Sequence, residues 1–223
     1  MSSDTLVPNR VRDKWARDEV ALSMTVRLVT RIEVAMIAKA AGYDSIYVDL
    51  EHSAFTHAET SQICVAALQA GLVPMVRVPT LAPDPITRVL DAGAIGIIAP
   101  HITSAEAAKE AVKWAKYPPR GQRSISGTLP HLGFRSVPHA QSIPAMDAAT
   151  MVVAMIESKE GVENVEEIAA VNGVDMLFLG TADLSAELGV LGQFSHKLVE
   201  DACMRTIKAA RKTSQNPRLA VIV

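Results

Sequence analysis

Met151-Val-Val-Ala-Met-Ile156 runs straight into Glu157, and Met176-Leu-Phe-Leu-Gly180 runs into Thr181-Ala-Asp183-Leu-Ser185. Between them Gly161 to Val171 has helical spacing, so the stretch reads strand, acid, helix, strand, acid. Parallel strands joined by a crossover helix put their C-terminal ends on one side of a sheet or barrel. Two carboxylates delivered there can converge on one oxygen-loving cation such as Mg²⁺. The plainer alternative is that Glu157 caps the next helix and Asp183 serves as a first-turn helix acid.

The same alternation extends outward on both sides. Strand-like runs cover Ala21–Val29, Ser45–Leu50, Val73–Val78 and Ile95–Ala99, with helical spacing over Ile32–Ala41, Ala58–Ala70, Pro85–Ala92 and Ser104–Ala115. Gly42, Gly71 and Gly93 stand where three of these helices should stop. Tyr117-Pro-Pro-Arg-Gly-Gln-Arg-Ser-Ile-Ser-Gly127 breaks the rhythm and reads as a loop, continued by a polar segment to about Asp147. Beyond 185 a helix is expected over 196–212 and a last strand over 219–223. No hairpin signal, fixed-period repeat or linker interrupts the pattern, so a single domain with a parallel sheet is expected over 1–223.

Composition narrows the function classes. Of 223 residues 49% are hydrophobic and 21% charged, which suits a globular chain with a substantial core. The net charge of −2 and the scattered basic residues leave no footprint for nucleic acid. No apolar run approaches the roughly 18 residues of a membrane span. The opening Met-Ser-Ser-Asp-Thr lacks a signal-peptide core, and Cys64 and Cys203 sit far apart in helical patterns as thiols of a reducing compartment. A cytoplasmic protein is expected.

A doubly wound nucleotide-binding sheet should carry a glycine-rich turn after its first strand, and none occurs. Ionisable residues recur instead at strand ends: Asp49, Glu51 and His52; Arg77; His101; Glu157; Asp183. A (β/α)8 barrel gathers such ends at one mouth, so the barrel is the expected fold. Arg77 could grip a carboxylate with two parallel hydrogen bonds, or brace the rim as an ion pair. Asp49 and His52 could form an acid–histidine dyad in which the carboxylate sets the tautomer of the ring. Asp91, inside a helix, could reach that dyad only as outer support. No lysine lies within a strand, which argues against a covalent imine.

These residues, taken together, resemble the HpcH/HpaI aldolases. The resemblance spans about Met24 to Val223 and rests on Asp49-Leu-Glu-His52, Val76-Arg-Val-Pro79, Leu90-Asp-Ala-Gly93, Tyr117-Pro-Pro-Arg-Gly-Gln-Arg123, Ile156-Glu-Ser, Val171-Asn-Gly-Val-Asp175 and Gly180-Thr-Ala-Asp-Leu-Ser185. It implies a metal-dependent lyase that cleaves 4-hydroxy-2-oxo acids to pyruvate and an aldehyde through a pyruvate enolate. It further implies Mg²⁺ or Mn²⁺ on Glu157 and Asp183, an acid–base dyad of Asp49 and His52, and substrate contacts from Arg77, His101 and Ala182. A homo-oligomer, trimer or hexamer, is implied as well. Three positions depart from the bacterial pattern: Met155 where glutamine is common, Thr181 where proline is common, and His101, which is similar to the fungal branch that includes macrophomate synthase. That branch makes oxaloacetate decarboxylation the alternative use of the same enolate. A citrate-lyase-type enzyme acting on CoA esters ranks low because no CoA-binding basic cluster is evident, and a non-catalytic acid-binding barrel is the alternative from another class. The family's eighth strand and closing helices are expected to be missing from the 223 residues.

Overall fold

The computed structural model describes residues 6–212 and the backbone of 218–221. Along the chain come α1 (Arg10–Ala16), β1 (Ser23–Val26), α2 (Glu33–Ala40), β2 (Ser45–Asp49), α3 (His57–Gln69), β3 (Val73–Arg77), α4 (Pro83–Asp91), β4 (Gly96–Ala99) and α5 (Ala105–Ala115). After a 3₁₀ turn (Pro130–Leu132) follow α6 (His139–Ala149), β5 (Met151–Ile156), α7 (Lys159–Glu163), α8 (Val165–Ala169), β6 (Met176–Leu179), α9 (Thr181–Glu187), α10 (Lys197–Lys212) and β7 (Arg218–Val221). The expected last strand is thus present through Val221, and positions 222–223 lie outside the described residues.

The chain forms two compact units, one of Met1–Ile97 with Trp114–Thr150, the other of Ile98–Lys113 with Met151–Val223. In the first, β1, β2 and β3 pair in parallel, with Val26 opposite Val48 and Asp49 opposite Arg77. In the second, β5, β6 and β7 do the same, with Ile156 opposite Leu179. Every residue of β2, β3, β5 and β6 is buried. That continuous burial is what parallel strands covered on both faces require, and it explains their unbroken apolar runs. The result is an α/β protein with parallel strands. Among the described residues no helix is long and apolar enough to cross a membrane.

Several helices differ from the main sequence reading, and α9 fits the alternative in which Asp183 is a first-turn acid. The polar start contains α1, whose stability comes from tethers and not from an apolar face. Asn9 caps it by accepting the Arg12 N–H and donates to the Ala149 carbonyl at 2.8 Å. Arg10 and Lys14 both reach the fully buried carboxylate of Asp44, at 2.8 and 2.7 Å. Burial pushes the Asp44 carboxyl up, but Lys14, the Leu22 N–H and Arg10 outweigh it and hold it below its ordinary value. The polar segment to Asp147 contains α6, with Pro144 in its interior. The segment after β6 is α9, and the single helix expected near 162–170 is two short ones meeting at Asn164.

Candidate active site

Within the first unit, the register that sets Asp49 opposite Arg77 also pairs their side chains. Arg77 donates from Nε to Asp49 Oδ1 at 2.9 Å and from Nη2 to Asp49 Oδ2 at 2.5 Å, and its Nη1 lies 3.0 Å from Glu51 Oε2. Its guanidinium sits 5.7 Å over the Tyr47 ring. Asp49 is fully buried and Arg77 nearly so. Burial works to raise the Asp49 carboxyl, yet the Arg77 hydrogen bond and the His52 and Glu51 N–H groups hold it below its ordinary value. Burial likewise opposes the Arg77 charge, and Asp49 more than offsets it.

The expected Asp49–His52 dyad takes a different form here. Asp49 Oδ1 accepts the backbone N–H of Glu51 at 3.0 Å and of His52 at 3.2 Å, as an aspartate does when it closes a turn on its own backbone. The carboxylate meets His52 through the main chain, while its side-chain partner is Arg77; the His52 ring is exposed. The physical reason is charge and geometry: a buried carboxylate takes the bidentate guanidinium across the ladder. Asp91 pairs elsewhere too, with Arg123 at 2.8 Å, whose guanidinium lies 4.7 Å over the Tyr117 ring.

Within the second unit, Glu157 follows the last residue of β5 and is 2% exposed, which makes it a carboxylate almost closed to water. Ser158, and not Glu157, caps α7 by accepting the Gly161 N–H, so the capping alternative for Glu157 fails. Glu157 Oε1 accepts the backbone N–H of His101 at 2.7 Å and lies 2.9 Å from His101 Nδ1. The His101 loop is itself anchored to β5, because the Ile102 N–H donates to the Met155 carbonyl at 3.2 Å. On the other side the Gly180 N–H donates to the Ile156 carbonyl at 3.0 Å, which sets Gly180 beside Glu157. A Cβ at Gly180 would lie 2.7 Å from Glu157 Cβ, 2.8 Å from Met155 Cε and 2.9 Å from Glu157 Oε2. Glycine is therefore required for the glutamate to lie against this turn. Three residues on, Asp183 is exposed in the first turn of α9, with Ala182, also exposed, just before it.

Sequence reasoning located Glu157, Asp183 and His101 but missed what orders them. The left-handed backbone of His101 (φ +53°) has no signal in the residues around it. The need for glycine at 180 was readable only as part of a motif.

Among the described residues no three His, Cys, Asp or Glu side chains stand close enough together to hold a metal ion. Two carboxylates at adjoining strand ends still fit a hard cation of the Mg²⁺ kind, which keeps several waters and takes only one or two protein oxygens. Glu157 packs against Gly180, three residues before Asp183 in the chain.

Parallel strands with ionisable groups at their C-terminal ends are the arrangement in which α/β proteins place their sites. The sequence model of the HpcH/HpaI aldolase/citrate lyase family matches residues 28–216, and the chain belongs to that family. It is 40% identical over 204 residues to a 4-hydroxy-4-methyl-2-oxoglutarate aldolase of Hapsidospora irregularis, covering 91% of this chain and 75% of the relative. It is 38% identical over 216 residues to another of that description from Chaetomium globosum, covering 96% and 80%. A solved HpcH/HpaI aldolase from Desulfitobacterium hafniense DCB-2 superposes with a TM-score of 0.92 at 31% identity, covering 97% of this chain and 82% of the other. Family and relatives make the protein a lyase of the aldolase type, which removes the non-catalytic alternative.

Proposed function

We propose that the protein is a divalent-metal-dependent aldolase that breaks the C3–C4 bond of 4-hydroxy-2-oxo acids, releasing pyruvate and a carbonyl compound, with Mg²⁺ or Mn²⁺ on Glu157 and Asp183. The observation that carries the proposal is Glu157, a buried carboxylate at the end of β5, held on one oxygen by His101 and packed against Gly180. A cation bound there supplies Lewis-acid stabilisation of charge developing on the oxo acid. Arg77, fixed by Asp49 and Glu51, is assigned to the same anionic group as a preorganised positive charge. His52 is assigned the proton of the 4-hydroxyl. As that proton leaves, C4 becomes a carbonyl, the C3–C4 electron pair passes to the departing pyruvate enolate, and protonation at C3 completes pyruvate. His101 and Ala182 are assigned contacts with the substrate. The two relatives of that name support 4-hydroxy-4-methyl-2-oxoglutarate as a substrate, whose cleavage yields a second pyruvate in place of an aldehyde.

The fuller reading of the protein is a single (β/α)8 barrel domain acting as a homo-oligomer, trimer or hexamer, in the cytoplasm. The parallel ladders and the Desulfitobacterium likeness support the barrel, and the fully buried Cys64 thiol, pushed up to about 12 by burial, suits a reducing compartment.

The test is a panel of 4-hydroxy-2-oxo acids, the 4-methyl-glutarate type among them, and oxaloacetate, each followed for pyruvate with Mg²⁺, with Mn²⁺ and with EDTA. Metal-dependent pyruvate from the 4-hydroxy acids is the expected outcome. Pyruvate from oxaloacetate alone would reassign the enzyme as a decarboxylase, and release undiminished by EDTA would overturn the metal.

A further inference from the structure

We propose that His101 is the positioning residue of Glu157: it clamps Oε1 and thereby commits Oε2 to the cation. The inference rests on the metal reading above and deepens it. Two groups of one residue meet a single carboxylate oxygen, the backbone N–H at 2.7 Å and ring Nδ1 at 2.9 Å. His101 also adopts the left-handed conformation (φ +53°) that non-glycine residues rarely hold. Such strain persists where the surrounding structure imposes it, and it gathers at functional sites.

Gly180 supplies the second, independent observation. The position tolerates no Cβ because Glu157 Cβ and Oε2 already lie within 2.9 Å of where it would stand. Held at Oε1 by His101 and packed against Gly180, the glutamate is fixed on two sides. It therefore does not have to be ordered when an ion arrives. The ring is 65% exposed, so its role is not to fill the core.

The test is Mn²⁺ binding to the full chain, read from the free-ion EPR signal, with the urea midpoint recorded for each variant. His101→Gly keeps the left-handed backbone and its N–H but removes the ring. It is expected to weaken Mn²⁺ binding by about 10-fold or more, the usual loss when a ligand's orienting partner is removed. His101→Asn tolerates the same backbone and restores a donor near the Nδ1 position, so it should recover the greater part of that loss. His101→Ala repeats the comparison if the glycine variant lowers the urea midpoint. Wild-type affinity in both ring-less variants, alongside loss of binding in Glu157→Gln, would overturn the positioning role and leave the metal site standing. No Mn²⁺ binding by the wild type, or unchanged binding in Glu157→Gln, would overturn the metal site and this inference together.

Discussion

Arg77 and Glu157 are both buried at strand ends, and they are held in opposite ways. Arg77 is bound to two carboxylates, Asp49 and Glu51, and its loss would leave both without their cation. Arg77→Ala is therefore expected to destabilise the protein by about 3–5 kcal/mol, measured by urea denaturation. Arg77→Lys should lose less, since a lysine keeps the charge but not the fork. Equal urea midpoints for wild type and Arg77→Ala would show that the pair carries no stability. His131 gives a pH signature. Its ring is buried, donates from Nε2 to the Ala94 carbonyl at 2.9 Å, and burial holds its pKa down at about 4 against an ordinary 6.5. Between those values the unfolded chain binds the proton and the folded one does not. The stability is therefore whole above about pH 6.5 and lost as pH falls toward 4; the loss is up to roughly 3 kcal/mol. His131→Gln should flatten that acid limb, and an unchanged limb would count against the buried neutral ring. At this scale the acids at strand ends were legible, because chemistry-bearing residues after apolar runs stand out. Their partners were not: nothing in Asp49-Leu-Glu-His52 says that the aspartate faces an arginine one strand away, because register is a property of the ladder.

Elements were legible where burial imposes a pattern. Runs such as Met151–Ile156 must be apolar throughout, and glycine at 42, 71 and 93 falls just past α2, α3 and α4 with positive φ in each case. The helices that escaped notice lack such patterns. Pro144 inside α6 removes a backbone donor, and sequence rules read proline there as a break. The seven residues of α1 bury only Val11, and the helix is held by side-chain tethers that no periodicity records. Two glycines test how the elements of the second unit meet. Gly173 has φ +104° and a Cβ there would stand 2.7 Å from Val112 Cγ1. Gly173→Ala is expected to lower stability by about 1–3 kcal/mol. Gly180→Ala should instead strike the site, displacing Glu157 and reducing Mg²⁺-dependent turnover by more than its effect on the urea midpoint explains. Full turnover in that variant would contradict the packing of Glu157 against the turn.

For the molecule as a whole, alternation of strand and helix sufficed to name a parallel α/β fold, and the order and spacing of several motifs sufficed to name the family. The register pairing Asp49 with Arg77 and the backbone twist at His101 emerge only when the chain is folded. The central claim is that Glu157 makes this chain a metal-dependent carbon–carbon lyase. The direct measurement is initial-rate pyruvate release from 4-hydroxy-4-methyl-2-oxoglutarate by the wild type and Glu157→Gln, each with Mg²⁺ and with EDTA, both proteins first shown folded by their urea midpoints. Release by the wild type is expected with Mg²⁺ only, with a rate at least about 100-fold lower in Glu157→Gln, in line with loss of a group that stabilises developing charge. Wild-type release that survives EDTA, or a Glu157→Gln rate equal to the wild type's, would contradict it.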